Sequence, residues 1–266
     1  MGVCVSLFAF KGLIAAIIAL VTVITGLVSL RFIHRYQHLL SLGDAFADGV
    51  FLGTAVFHLF PDAIESFPAW FSTLTSYLLA ILLVMSGFSL LFVLEGTIIH
   101  WEKEQRHELT NEHTCKASAW MLIGILSVHA FIAGAALGIS DAMRTVSILL
   151  IAILAHKGFE SFALMMGLHR NLKQDVQVKS ILWAFTFVTP LGIILAAFIE
   201  SFLHTQAADI ITGLFSAFAA GSFLYIGTLH GGHNHFHAPR DSTKRYEKII
   251  ATLLGITAMG IVAIWT

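Results

Sequence analysis

Residues 118–168 read SAWMLIGILSVHAFIAGAALGISDAMRTVSILLIAILAHKGFESFALMMGL, two apolar runs at about 118–138 and 146–168 joined by a short link from Ile139 to Thr145. Each run is about as long as a helix needs to cross the hydrocarbon of a bilayer. So short a link makes the two helices antiparallel neighbours. His129 precedes the link and His156 follows it, both by enough residues to lie some 13–17 Å below the surface, near the middle of a ~30 Å core. Glu160 follows His156 at i+4 on the same helix face. Lys157, next to His156, points roughly 100° away.

Polar groups at that depth are costly and usually have a task. Two imidazoles and a carboxylate suit zinc and other borderline divalent metals. The competing arrangement is a buried Lys157–Glu160 ion pair with the histidines hydrogen-bonded between helices. The residue types alone allow both.

The rest of the chain is of the same kind. Of 266 residues, 57% are hydrophobic and 12% charged, with 14 histidines and a net charge of −1. Soluble domains carry about twice that charge fraction, and neither nucleic acid nor an acidic partner is indicated. Cys4 and Cys115 do not suggest a disulfide framework. Further apolar runs predict helices at about 11–31, 42–60, 74–99, 180–203, 210–230 and 249–265, making eight, with loops over 100–117 and 231–248. The first lacks a basic leader and a cleavage site, so it is expected to be a membrane helix. The fold class is all-α, a polytopic membrane protein, with residues 1–266 as a single transmembrane domain. Arg and Lys crowd one set of alternate loops, including Arg31, Arg35, Lys103, Arg106, Arg170, Lys179, Arg240 and Lys248, whereas the other set holds only Lys11 and Arg144. The positive-inside rule then puts both termini on the non-cytosolic side.

Five segments in order resemble the ZIP (Zrt/Irt-like) metal transporters. His129-Ala-Phe-Ile-Ala-Gly-Ala-Ala-Leu-Gly138 resembles that family's fourth helix, and His156-Lys-Gly-Phe-Glu160 its fifth. His58-Leu-Phe-Pro-Asp62 resembles its second, Thr189-Pro-Leu-Gly192 its sixth, and Ala220-Gly-Ser-Phe-Leu-Tyr225 its seventh. The resemblance implies a carrier for zinc, iron, manganese or a related divalent ion in a plasma or bacterial inner membrane, usually a homodimer, importing toward the cytosol by alternating access. It implies metal ligands at His129, His156 and Glu160 and an outward-facing mouth at His58 and Asp62. It also implies that helices one, four, five and six move as a block against two, three, seven and eight, with surfaces of small residues suiting the sliding interface.

Many members hold two metals. At four positions that serve the second ion this chain has Ala130, Ala133, Lys157 and Thr189. A fixed Lys157 charge repels a second cation, so one metal is expected, with Lys157 standing in the second position. Asp44 and Asp48, together with His230, His233, His235 and His237, are candidate exit groups, since clustered histidines bind transition metals readily. Glu95 is expected near a membrane interface. An intramembrane zinc hydrolase is the alternative function, but Glu160 would have to serve as ligand and base at once. Metal binding needs neutral histidines, so transport should fall as pH drops through the histidine range.

Overall fold

A computed structural model describes residues 2–36, 39–67, 71–105, 111–140, 143–172, 174–199, 205–230 and 245–264. The helices are α1 (Gly2–Arg35), α2 (Leu40–Glu65), α3 (Thr73–Gln105), α4 (Asn111–Ile139), α5 (Met143–Asn171), α6 (Asp175–Ile199), α7 (Thr205–Tyr225, continued as a π-helical turn Ile226–His230) and α8 (Arg245–Ala263). Seven of the described helices are long and apolar enough to cross a membrane, and Gly213–Thr228 is a shorter apolar helix within α7. The chain is an all-α polytopic membrane protein. α3 and α4 run on into 100–105 and 111–117, where the sequence suggested loop, and α4 and α5 are separated only by 140–142.

Two prolines set the irregularities of the second and sixth spans. Pro61 has no N–H for the Phe57 carbonyl. Ahead of it the ladder widens to a π-helical turn, Ala55–Leu59, in which the Phe60 N–H bonds to the Ala55 carbonyl. His58 sits in that turn. Pro190 likewise leaves Thr186 without its i+4 donor. The Phe187 N–H bonds to Ala184 at 3.2 Å, three residues back, and the helix restarts at Val188. The sixth span is therefore interrupted three residues before its proline.

The helices associate as two groups. α1 packs on α5 and α6, and α4 on α5 and α6; separately, α2 packs on α8 and α7, and α3 on α7. Ile14, Ile18, Leu137, Val146, Ile153 and Ile193 form a core lying wholly within the first group. Lys11, on α1 rather than in a loop, is 3% exposed and donates from Nζ to the Gly138 carbonyl at 2.7 Å. That carbonyl belongs to the last turn of α4, whose acceptors have no helical partner.

The small residues are placed differently from the sequence expectation. A methyl on Gly134 would strike the Thr189 carbonyl, one on Gly192 the Phe131 carbonyl, and one on Gly138 the Ile193 carbonyl. These contacts fasten α4 to α6. Gly49 and Gly255 do the same for α2 and α8, and Gly87 and Gly221 for α3 and α7. Each of these glycine-to-backbone contacts lies inside one group, because backbones can approach closely only where neither carries a side chain. Between the groups stand bulky, deformable side chains instead: Phe46 of α2 against Phe159 and Phe162 of α5, and Met166 against Gly43. Glu95, near the end of the third span, accepts a hydrogen bond from the Tyr225 hydroxyl and so links α3 to α7.

Candidate metal site

His129 and His156 project from the antiparallel pair α4 and α5 and are 5% and 3% exposed, with ring centroids 6.0 Å apart. They and Glu160 line one small enclosed cavity, whose remaining walls are Leu126 of α4, Val50, Phe51 and Thr54 of α2, and Phe223 of α7. It leaves ≈ 10 Å³ for the centre of a water-sized particle, room for about one such particle. The His129 ring meets Phe223 edge-on at 5.3 Å. All three polar groups belong to the first helix group, and the apolar cover comes largely from the second.

Glu160 has two differently placed oxygens. Its Oε2 accepts from the Lys157 ammonium at 2.8 Å, and both residues are buried. Its Oε1 is buried with no hydrogen-bond partner among the described residues. Leaving a buried acceptor unpaired costs about 1–3 kcal/mol, more when it is charged. Lys157 Nζ also donates to Thr189 Oγ1 at 3.1 Å and lies 4.7 Å from the centre of the Phe185 ring, both on α6. The buried ion pair allowed by the sequence is therefore present. Among the described residues, no group of three His, Cys, Asp or Glu side chains is gathered as a preformed metal cage.

His58 is deeper than a mouth residue. Its ring centroid lies 4.8 Å from that of His156, and its Nδ1 is 3.4 Å from Asp62 Oδ2. Asp62 is 44% exposed at its side chain and His58 17%. Asp62, His58, His156 and His129 thus form a file from surface to cavity, and it crosses from the second helix group to the first between His58 and His156. Two imidazoles on one tetrahedral ion stand with centroids roughly 5 Å apart, close to both spacings in the file. The depth follows from α2 continuing to Glu65 rather than stopping near residue 60, which puts His58 about 10 Å inside the helix end.

The other candidates divide. Asp48 is buried, and the nearby Gly227 faces its carbonyl on the π-helical turn of α7; Asp44 is half-buried one turn earlier. His230 ends that turn, while His233, His235 and His237 lie outside the described residues. Sequence reasoning missed Phe185 and Phe223 as parts of the site. Aromatic residues are common in apolar spans, and nothing local distinguishes these two.

A family model described as ZIP Zinc transporter matches residues 5–118 and 102–263. Zinc transporter 11 of Arabidopsis thaliana is 29% identical over 283 residues, covering 98% of this chain and 86% of that protein. Zinc transporter 1 of Oryza sativa subsp. japonica is 27% identical, covering 96% and 84%. Zinc transporter ZIP1 of Homo sapiens is 30% identical over 226 residues, covering 71% and 68%.

Proposed function

The chain belongs to the ZIP zinc transporter family, and from that premise we propose that it carries zinc, one ion at a time, toward the cytosol through the cavity of His129, His156 and Glu160. The family is one of transporters, which removes the hydrolase alternative. The observation that carries the site assignment is the buried cavity itself. It joins two imidazoles to a carboxylate that keeps one oxygen unpartnered among the described residues.

Zinc enters past Asp62 and His58 and is passed to His156 across the boundary between the helix groups. It is then held by His156, His129 and Glu160. The ligands ride on α1, α4, α5 and α6, stiffened by the glycine contacts of α4 with α6. The other four helices form the frame, and the aromatic and methionine contacts between the groups can rearrange as one slides on the other. A site near the bilayer midplane reached alternately from either side is usual for secondary transporters. Release proceeds past Asp48 and Asp44 toward His230, His233, His235 and His237. Residues 1–266 act as one transporting domain, paired as a homodimer, with both termini outside.

Lys157 replaces a second ion. While the site is empty its ammonium neutralises Glu160. When zinc takes the carboxylate, Thr189 and Phe185 keep that ammonium on α6, where a second divalent ion would meet its charge. Iron and manganese have softer claims on a site with two imidazoles than zinc does. The test is flux into sealed vesicles holding only the purified protein, with zinc, iron, manganese and cadmium compared side by side. Saturable zinc uptake is expected. No metal flux above protein-free vesicles would refute it.

A further inference from the structure

A groove of a different kind opens where the two helix groups meet near the Arg- and Lys-rich ends of the spans. Its floor is made of three half-buried phenylalanine rings. Phe162 of α5 meets Phe32 of α1 with centroids 6.2 Å apart and Phe46 of α2 at 5.8 Å, both edge-on. Leu42 of α2 and Ile250 and Leu254 of α8 form the sides. The groove leaves ≈ 470 Å³ for the centres of water-sized particles, against ≈ 10 Å³ in the metal cavity. α2 and α8 run parallel, with Gly49 against Thr252 and Gly53 against Ile256. Leu39 and Glu247 therefore mark one end of the groove, and Phe46 and Leu254 lie about 10 Å deeper along the two helices. That is two-thirds of the ~15 Å of hydrocarbon in one leaflet.

The walls and their position say what fills it. A buried water needs two to four polar partners, and among the described lining residues only Glu247, at the shallow end, is polar. A metal ion meets the same objection. Residues 231–244, which lead into α8, are mostly polar and do not match such a wall. On its outer side the groove is bounded by Ile250 and Leu254, 52% and 58% exposed and both inside the span Arg245–Ala263. What lies against them is the hydrocarbon of the bilayer. Arg35, exposed in the last turn of α1, is three residues beyond Phe32 on the same side of the helix. It stands at the level of lipid phosphates, which basic residues next to a span attract.

We propose that an acyl chain of a phospholipid, from the leaflet on the Arg- and Lys-rich side, seats in this groove. The chain touches the first helix group at Phe32 and Phe162 and the second at Leu42, Phe46, Ile250 and Leu254. It is thus a wedge between the two groups, and not part of the lipid that merely surrounds the protein. One consequence rests on the sliding motion proposed above. An occupant that touches both groups favours the arrangement in which its walls stand as they do here, and so biases the population toward it. The site itself does not depend on that motion.

The test uses the full chain in vesicles of phosphatidylcholine with a photoreactive diazirine on one acyl chain. After illumination, labelled residues are located by peptide mass spectrometry. We expect label on Phe46 and Phe162 at the floor, and also on the outward Leu253 of α8, which is 55% exposed and outside the groove. Ala251→Phe sets a ring into the groove and should cut floor labelling about tenfold through overpacking, with Leu253 labelled as before. Leu253→Phe should leave the floor labelled as in wild type. An unlabelled wild-type floor, or floor labelling that Ala251→Phe does not change, overturns the proposal. Should Ala251→Phe fail to fold, Ile250→Trp takes its place with the same expectation. Photoreactive leucine, incorporated throughout the chain, identifies the occupant directly: Leu42 and Leu254 should join lipid, and cross-links from them to a second copy overturn it. No metal enters these measurements, so their outcome is independent of whether zinc crosses through the central cavity.

Discussion

Glu160→Gln tests the transport site, but the Lys157 contact makes the single substitution ambiguous. Glu160 is 6% exposed and Lys157 1%, at 2.8 Å. Removing one partner of a buried ion pair costs about 3–5 kcal/mol because the other charge is stranded. Here Thr189 and Phe185 still hold the ammonium, so the lower end, about 3 kcal/mol, is expected. Glu160→Gln should therefore lower the melting temperature in detergent and also abolish zinc flux, and lost flux alone could be blamed on lost stability. Adding Lys157→Met separates the two. An apolar side chain of similar length removes the stranded charge, and replacing a buried pair in this way is often neutral or stabilising. The double variant should regain most of the melting temperature while flux stays absent, because the carboxylate that offsets a dehydrated divalent ion is still missing. Lys157→Met alone leaves Glu160 unpaired, so at the same free zinc concentration the ion should bind more tightly and stabilise this variant more than wild type. Melting curves and vesicle flux are read on the same preparations. A double variant that recovers flux together with stability would show that Glu160 serves only to pair Lys157, and the site as drawn would be wrong.

Anomalous scattering at the zinc edge should give one strong peak between α4 and α5 in wild type, and Lys157→Asp should add a second metal or tighten the first. Two wild-type peaks within about 4 Å of each other, or no change in the variant, contradict the tethered-ammonium account. His58→Ala should reduce zinc flux several-fold with little change in melting temperature, since its side chain is partly exposed and lies on the file from Asp62 to His156. Unaltered flux would remove His58 from the path. Gly134→Val should lower stability by about 1–3 kcal/mol through overpacking against the Thr189 carbonyl. Gly158→Ala, whose new methyl would meet only Thr25 Cγ2 at 3.6 Å, should be neutral or stabilising by up to about 1 kcal/mol. Equal effects on melting would mean that the α4–α6 contact is not as close as described.

The membrane class, the eight helices and the placement of His129, His156 and Glu160 on two adjacent antiparallel helices were all legible in the chain, because each follows from local quantities: residue hydropathy, helical rise and a link too short to allow anything but antiparallel neighbours. The glycines of α4 were legible as small, but not as the surface that fastens α4 to α6. Which neighbour a small residue faces depends on the rotation of two helices at once, and no single helix encodes that. His58 shows the same limit, since its closeness to His156 depends on α2 continuing past Pro61 through a π-helical turn and on α2 lying against α5. Lys157 could equally have faced lipid, water or Glu160 from its position one residue beyond His156. Only the packing of α6, which brings Thr189 and Phe185 to the ammonium, decided among them. The sequence by itself determined what each residue could offer chemically and where along its helix it would sit. The tertiary structure alone decided which of those groups meet, because contacts between helices far apart in the chain depend on the shapes of all of them together.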